Sequence, residues 1–349
     1  MDSRGPVRSS DMARKPLVDF TALNIQIKSA RSSDELSEFC RKRGALFSGM
    51  QHCMVCTACT RFRWDDNGAA LLCILAANEW LCCPRDTSGR DARGASTVYY
   101  SLAKVKAHRI ILPADVAVRI NLSMLIANVG FEAASLTGDF NEQNASNCLW
   151  AAATLGVRDE AIVGPLVVAA CRVAQTFNAQ GAANCLWAVA TLGICDEAII
   201  GTLATACVSL SRTFNAQGAA NCLWAAATLG VRKDIVRPLA LACVEQSRSF
   251  SVQDAANSLW AAAKLDVQDM AIIGPLVAAC VFHSHTFNAQ GAANSLWAVA
   301  TLGFHDEVVI HKLASACVAK SPTFNAQNAA NSLWAAATLG IRDKATLRH

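Results

Sequence analysis

Apolar and polar positions follow a helical period over most of the chain, and the clearest instance is FNAQGAANCLWAVATLG, residues 177–193. Projected on a helical wheel, Gln180, Asn184, Trp187 and Thr191 fall within roughly 60° of one another. Leu186, Val189, Ala182, Ala183 and Ala190 occupy the far side. The pattern predicts a helix with a wide apolar face of small residues and one narrow stripe of amides, an indole and a hydroxyl. Asn178 stands where an N-cap belongs, because its side chain can accept from the free amides of the first turn. Phe177 can pack back over that turn as a hydrophobic staple. Gly193 stands where a left-handed C-terminal cap belongs.

This segment recurs. Its phenylalanine is found at Phe140, Phe177, Phe214, Phe250, Phe287 and Phe324, at intervals of 37, 37, 36, 37 and 37. Tryptophan keeps the same intervals at 150, 187, 224, 260, 297 and 334. A fixed period of this size is the mark of a helical solenoid. Each unit reads as two helices. Helix A is capped by Asn141, Asn178, Asn215, Ser251, Asn288 or Asn325 and closed by Gly156, Gly193, Gly230, Gly303 or Gly340, with Asp266 as the exception. A loop aspartate (Asp159, Asp196, Asp234, Asp269, Asp306, Asp343) is then expected to cap helix B. Pro165, Pro238 and Pro275 should either kink helix B or mark its restart. The single short interval fits a one-residue deletion near VRKDIVRPL.

The fold class expected is all-α, an α-solenoid of about 37-residue two-helix repeats. Residues 115–349 form the array, with 115–136 as a first helix B and the last repeat truncated at DKATLRH. Residues 19–62 read as a degenerate N-terminal repeat, where Phe47 and Ser48 repeat the phenylalanine and cap. Residues 63–114 fit nothing in the pattern and read as an irregular insert or loop. Residues 1–18 read as a disordered or weak targeting segment, because their arginines and serines are accompanied by Asp2 and Asp11.

In a solenoid, equivalent helices line one continuous surface. The candidate stripe is therefore Gln143 and Asn147; Gln180, Asn184, Trp187 and Thr191; Gln217, Asn221, Trp224 and Thr228; Gln253 and Asn257; Gln290, Asn294 and Trp297; and Gln327 and Asn331. Aromatic faces that stack on bases, with amides for base edges or sugars, suit single-stranded RNA. The same residues admit a structural reading, with indoles as packing spacers and amides satisfying neighbouring backbone. The stripe barely varies between repeats, so it predicts a single repeated base preference or sugar–phosphate contact, and no varied code.

Composition narrows the chemistry. With 53% hydrophobic and 17% charged residues, the chain is built to pack. Its apolar runs are too short to span a membrane. The net charge of +4 lies wholly in residues 1–139, which hold 18 Lys+Arg and 14 Asp+Glu, whereas residues 140–349 hold 13 of each. A neutral array speaks against nonspecific phosphate binding. No nucleophile–base set, paired carboxylates or phosphate loop is present, so no enzyme and no cofactor is expected. Cys53, Cys56 and Cys59 have metal-ligand spacing, but Cys56 and Cys59 fall where Leu186 and Val189 fall in the later repeat. Small core residues are the expectation for them, and for most of the 16 cysteines.

The phrase FNAQ-x-AAN-[CS]-LWA-x-A-[TK]-L resembles organellar RNA-binding helical repeats. These include the octotricopeptide and heptatricopeptide families, the leucine-rich region of FAST-kinase-like and RAP-domain proteins, and the trypanosome RNA-editing substrate-binding complex repeat proteins. The resemblance covers 140–349 and, more faintly, IKSARSSDEL and FCRKRGALFS in 20–62. It implies a noncatalytic protein of mitochondrial or plastid RNA processing, stability, ribosome assembly or translation, with single-stranded RNA and ribonucleoprotein subunits as partners. Without an organellar signal the expected location is cytoplasmic. A protein-interaction scaffold of armadillo or HEAT type is the alternative that a neutral array suggests.

Overall fold

The computed structural model describes residues 20–62, 67–85, 89–106 and 109–341. Over these residues the chain is all-α, with eighteen α-helices in series and no strand. The helices sort into two layers. The A layer holds α1 (Phe20–Ser29), α3 (Gly49–Cys59), α5 (Ala92–Lys104), α8 (Glu142–Leu155), α10 (Ala179–Leu192), α12 (Ala216–Leu229), α14 (Val252–Lys264), α16 (Ala289–Thr301) and α18 (Ala326–Thr338). The B layer holds α2 (Ser33–Arg43), α4 (Asn67–Cys82), the short α6 (Ala114–Ala117), α7 (Leu122–Ser135), α9 (Glu160–Arg172), α11 (Glu197–Ser209), α13 (Lys233–Gln246), α15 (Met270–His283) and α17 (Glu307–Lys320).

One apolar core runs through the stack from Ile27 to Ala335. From α8 onward, neighbouring A helices lie against one another along their length, while neighbouring B helices meet over a shorter stretch. A two-layer stack with one layer more closely spaced must curve toward that layer. The A helices therefore line the concave side. Alanine makes this spacing possible: Ala182, Ala183, Ala188 and Ala190 of α10 are all buried.

The local signals are used as written. Asn141, Asn178, Asn215, Ser251, Asn288 and Asn325 each accept from the backbone amide three residues on. Gly193 closes α10 at φ 73°, in the left-handed region, and Asp266 takes the same role at φ 53°. Asp159, Asp196, Asp269 and Asp306 cap their B helices. Asp234 does not: the deletion starts α13 at Lys233, and Asp234 pairs with Arg232 at 3.2 Å instead. Asp343 lies outside the described residues. The prolines at 165, 238 and 275 neither restart nor divide their helices, which run on through them.

The expectation of an irregular insert over 63–114 is overturned. Among its described residues are two packed helices, α4 and α5, and the latter is an A helix. Helix α4 reads ALLCILAANEWLC and is apolar nearly all round, since it packs against α2, α3, α5 and α7 together. Such a helix has no polar stripe to betray its period. Residues 1–19 lie outside the described residues. No described helix is long and apolar enough to cross a membrane.

Candidate nucleic-acid interface

The stripe predicted from the wheel is a surface feature of the A layer. Gln143, Gln180, Gln217, Gln253, Gln290 and Gln327 are all exposed. Asn147, Asn184, Asn221, Asn257, Asn294 and Asn331 are half-buried, as are Trp150, Trp187, Trp224, Trp260 and Trp297. Trp334, on the last described helix, is 48% exposed. The half-buried indoles pack against the apolar core and keep part of their surface exposed.

The amides have no structural employment. Among the described residues, none of these Gln or Asn side chains makes a hydrogen bond, and the backbone amides of the first turns are held by the N-cap residues instead. Their donors and acceptors are free for a ligand. The indoles serve both readings: they pack on the core and stay partly exposed.

The threonines depart from expectation. Thr228 donates to the Trp224 carbonyl at 2.9 Å, a back-bond within its own helix. The Thr191 hydroxyl oxygen is buried, with no partner among the described residues. Thr228 is exposed but spends its proton within its own helix, and the Thr191 hydroxyl is buried, so amides and indoles supply the ladder's free donors. Rotamer choice, which the wheel does not encode, decides this.

Helix α5 extends the ladder toward the N-terminus. Its N-cap Asp91 accepts from Gly94 at 2.7 Å. Counting from that cap, Arg93, Thr97, Tyr100 and Lys104 stand where Gln143, Asn147, Trp150 and Thr154 stand in α8. Arg93 is exposed and Thr97 and Tyr100 are half-buried, as their counterparts are. The Tyr100 and Trp150 rings lie 5.1 Å apart. These residues were missed because Arg90 and Asp91 replace the phenylalanine–asparagine signal. The spacing of nine residues from Asp91 to Tyr100 was the clue available.

A profile of the RNA-editing substrate-binding complex 6 protein family, RESC6, matches residues 91–348. The chain belongs to the RESC6 family. The match begins at Asp91, the cap of α5, so it takes in the helix that the sequence pattern alone left out. No curated protein matches the chain. Of the organellar repeat families that the sequence resembles, the RNA-editing substrate-binding complex proteins are therefore the ones to which this chain is tied.

In this RESC6-family chain, Cys53, Cys56 and Cys59 are core residues. All three are buried, and the Cys56 thiol donates to the Cys73 carbonyl at 3.7 Å. A side-chain hydrogen bond with the Cys73 thiol, together with burial, pushes the Cys56 thiol well above its ordinary range, and burial does the same to Cys53. The Cys53 thiol likewise points at backbone carbonyls, those of Gly89 and Gly94 at 3.6 and 3.8 Å. Further along, Ser258, Ser295 and Ser332, which stand where earlier repeats have Cys148, Cys185 and Cys222, donate to Cys243, Cys280 and Cys317 at 3.8, 3.7 and 3.7 Å, so cysteine and serine interchange at a small packing contact. Burial raises Cys243 and Cys280 to about 12. Only Cys82 and Cys195 are exposed. Titration of the native chain with an aromatic disulfide at pH 8 should therefore show a fast class of two thiols, with all 16 reacting after denaturation. A fast class that includes the buried helix-B cysteines would contradict the packing.

Proposed function

We propose that this chain is a noncatalytic RNA-binding subunit of a mitochondrial RNA-editing substrate-binding complex, and that single-stranded RNA lies along its concave A layer. The observation that carries the reading is the run of unemployed amides beside half-exposed indoles, repeated on six successive A helices. Indoles supply stacking that any base satisfies, and amides supply donors and acceptors that fix its edge. RESC6 membership supports RNA editing as the setting, and the wider resemblance to organellar RNA-binding repeats supports the mitochondrion.

Filter binding to RNA homopolymers tests this. Because the stripe repeats, one homopolymer should bind best, or all should bind alike through the sugar. The double variant Asn184→Ala, Asn221→Ala should weaken binding roughly thirtyfold, at about 1 kcal/mol for each hydrogen bond removed, with an unchanged melting curve. Failure of the folded chain to bind any homopolymer at low salt would end the proposal.

The neutrality of residues 140–349 favours a second reading, a scaffold for protein partners. RNase-resistant co-purification of a defined subunit, lost with the same two substitutions, would favour it.

A further inference from the structure

The charge of the groove is not uniform. From α8 to α18, the four stripe positions on each helix are Gln, Asn, Trp and Thr, with Lys264 the one cation. The three preceding A helices differ. Helix α5 puts Arg93 at the glutamine position and Lys104 at the threonine position. Counted from Ser48, the cap of α3, the threonine position falls on Arg61, in the turn two residues past the helix end. In α1 the register follows from an inter-helix bond. Gln51 donates to Asn24 at 2.9 Å, just as Asn144 donates to Ser96 at 2.8 Å two repeats later. That register puts Lys28 at the tryptophan position.

Four cations thus replace neutral side chains at one end of the same stripe. All four are exposed. Three of them, Lys28, Arg61 and Arg93, line one open cleft of about 410 Å³ between α1, α3 and α5. Arg61 donates to the carbonyls of Lys28 and Ile27 at 3.1 and 3.3 Å, which fixes its guanidinium at the cleft without neutralising it. Lys28, Arg93 and Lys104 have no carboxylate partner among the described residues. One carboxylate, Asp91, also lines the cleft, and it is engaged in capping α5. The floor is apolar and polarizable, with Met50 and Met54 at the stripe positions of α3.

We propose that this cleft anchors the phosphodiester backbone of the single-stranded RNA whose bases lie on the neutral ladder. The inference rests on the RNA-binding reading above and adds a division of labour to it. Cations hold phosphates at the N-terminal end, and amides and indoles receive bases beyond it. Tyr100, beside Trp150, joins the two zones. An RNA strand fits this charge pattern better than an acidic peptide does. A peptide acidic enough for the cleft has no use for an aromatic ladder, whereas a nucleic acid carries anions and π-faces on one chain.

The test compares salt dependence of binding to a homopolymer long enough to cover the groove. Each phosphate neutralised on a single strand contributes about 0.7 to the slope of log affinity against log salt. The triple variant Lys28→Gln, Arg93→Gln, Lys104→Gln should reduce that slope by about 2 and bind roughly 100-fold more weakly at 0.1 M salt. It leaves Arg61 in place to cap α1. The control Lys233→Gln, Arg237→Gln, Lys312→Gln on the B layer should change neither. Matching melting curves establish that both variants fold. An unchanged slope in the triple variant, with the parent chain binding RNA, overturns the anchor and leaves the ladder standing. A parent chain that binds no RNA overturns both. Tighter binding of poly-glutamate than of RNA, lost in the triple variant, overturns the anchor in favour of a protein ligand.

Discussion

Glu132→Ala should cost the fold about 3–5 kcal/mol in chemical denaturation, the range for removing one partner of a buried ion pair. Glu132 in α7 is 7% exposed, and its carboxylate takes Arg90 on one oxygen and Arg85 on the other, both at 2.8 Å. Arg85 is solvated and contributes little. Arg90 is buried. It also donates to the carbonyls of Trp80 and Leu81, at 2.9 and 2.6 Å, and its guanidinium sits 4.6 Å from the Trp80 ring. One side chain thus ties the end of α4, the approach to α5 and the last turn of α7. Without Glu132 the guanidinium keeps its carbonyls but loses its counter-charge in a dry site. The double variant Arg90→Met, Glu132→Leu should recover most of the loss, because apolar replacement of both partners removes the desolvation penalty with the attraction. Losses under about 1 kcal/mol for Glu132→Ala would show the site to be wetter than its burial implies.

This same region shows where sequence legibility stops. From residue 140 onward each repeat carries its own punctuation. A phenylalanine precedes a capping side chain, and a glycine or Asp266 closes the helix, so helix limits follow from hydrogen-bond needs alone. The stripe follows too, because 3.6 residues per turn places Gln180, Asn184 and Trp187 together whatever the tertiary fold. Before residue 140 those devices change. Helix α5 is secured by the Arg90 network in place of a phenylalanine, and α4 is buried on several sides, so neither shows the expected pattern. With the frame lost, Arg93 and Lys104 could not be assigned to the stripe. The threonine hydroxyls were illegible for a different reason: each has a choice between solvent and a carbonyl one turn back, and composition does not decide between them.

The second large loss is expected at a staple. Phe287 is wholly buried, and its ring lies 3.0 Å from where a Cβ on Gly291 would stand. A glycine at that place lets the ring lie flat on the first turn of α16. Phe287→Ala should cost about 3–5 kcal/mol, since the stiff helices on either side relax little into the cavity. Phe324 has the same place in the next repeat but is only half-buried, because α18 carries an exposed face with Leu333 63% exposed. Phe324→Ala should therefore cost less, about 1–2 kcal/mol for partial burial. The contrast is what a quasi-one-dimensional stack requires. A lesion at a wholly buried staple weakens its repeat and the interface on each side of it, whereas the half-buried Phe324 has less packing to lose. Urea denaturation should show the Phe287 variant losing cooperativity, with hydrogen exchange accelerated in α14 to α18 ahead of α8 to α12. Equal losses for the two variants would mean that the repeats do not share stability through their interfaces.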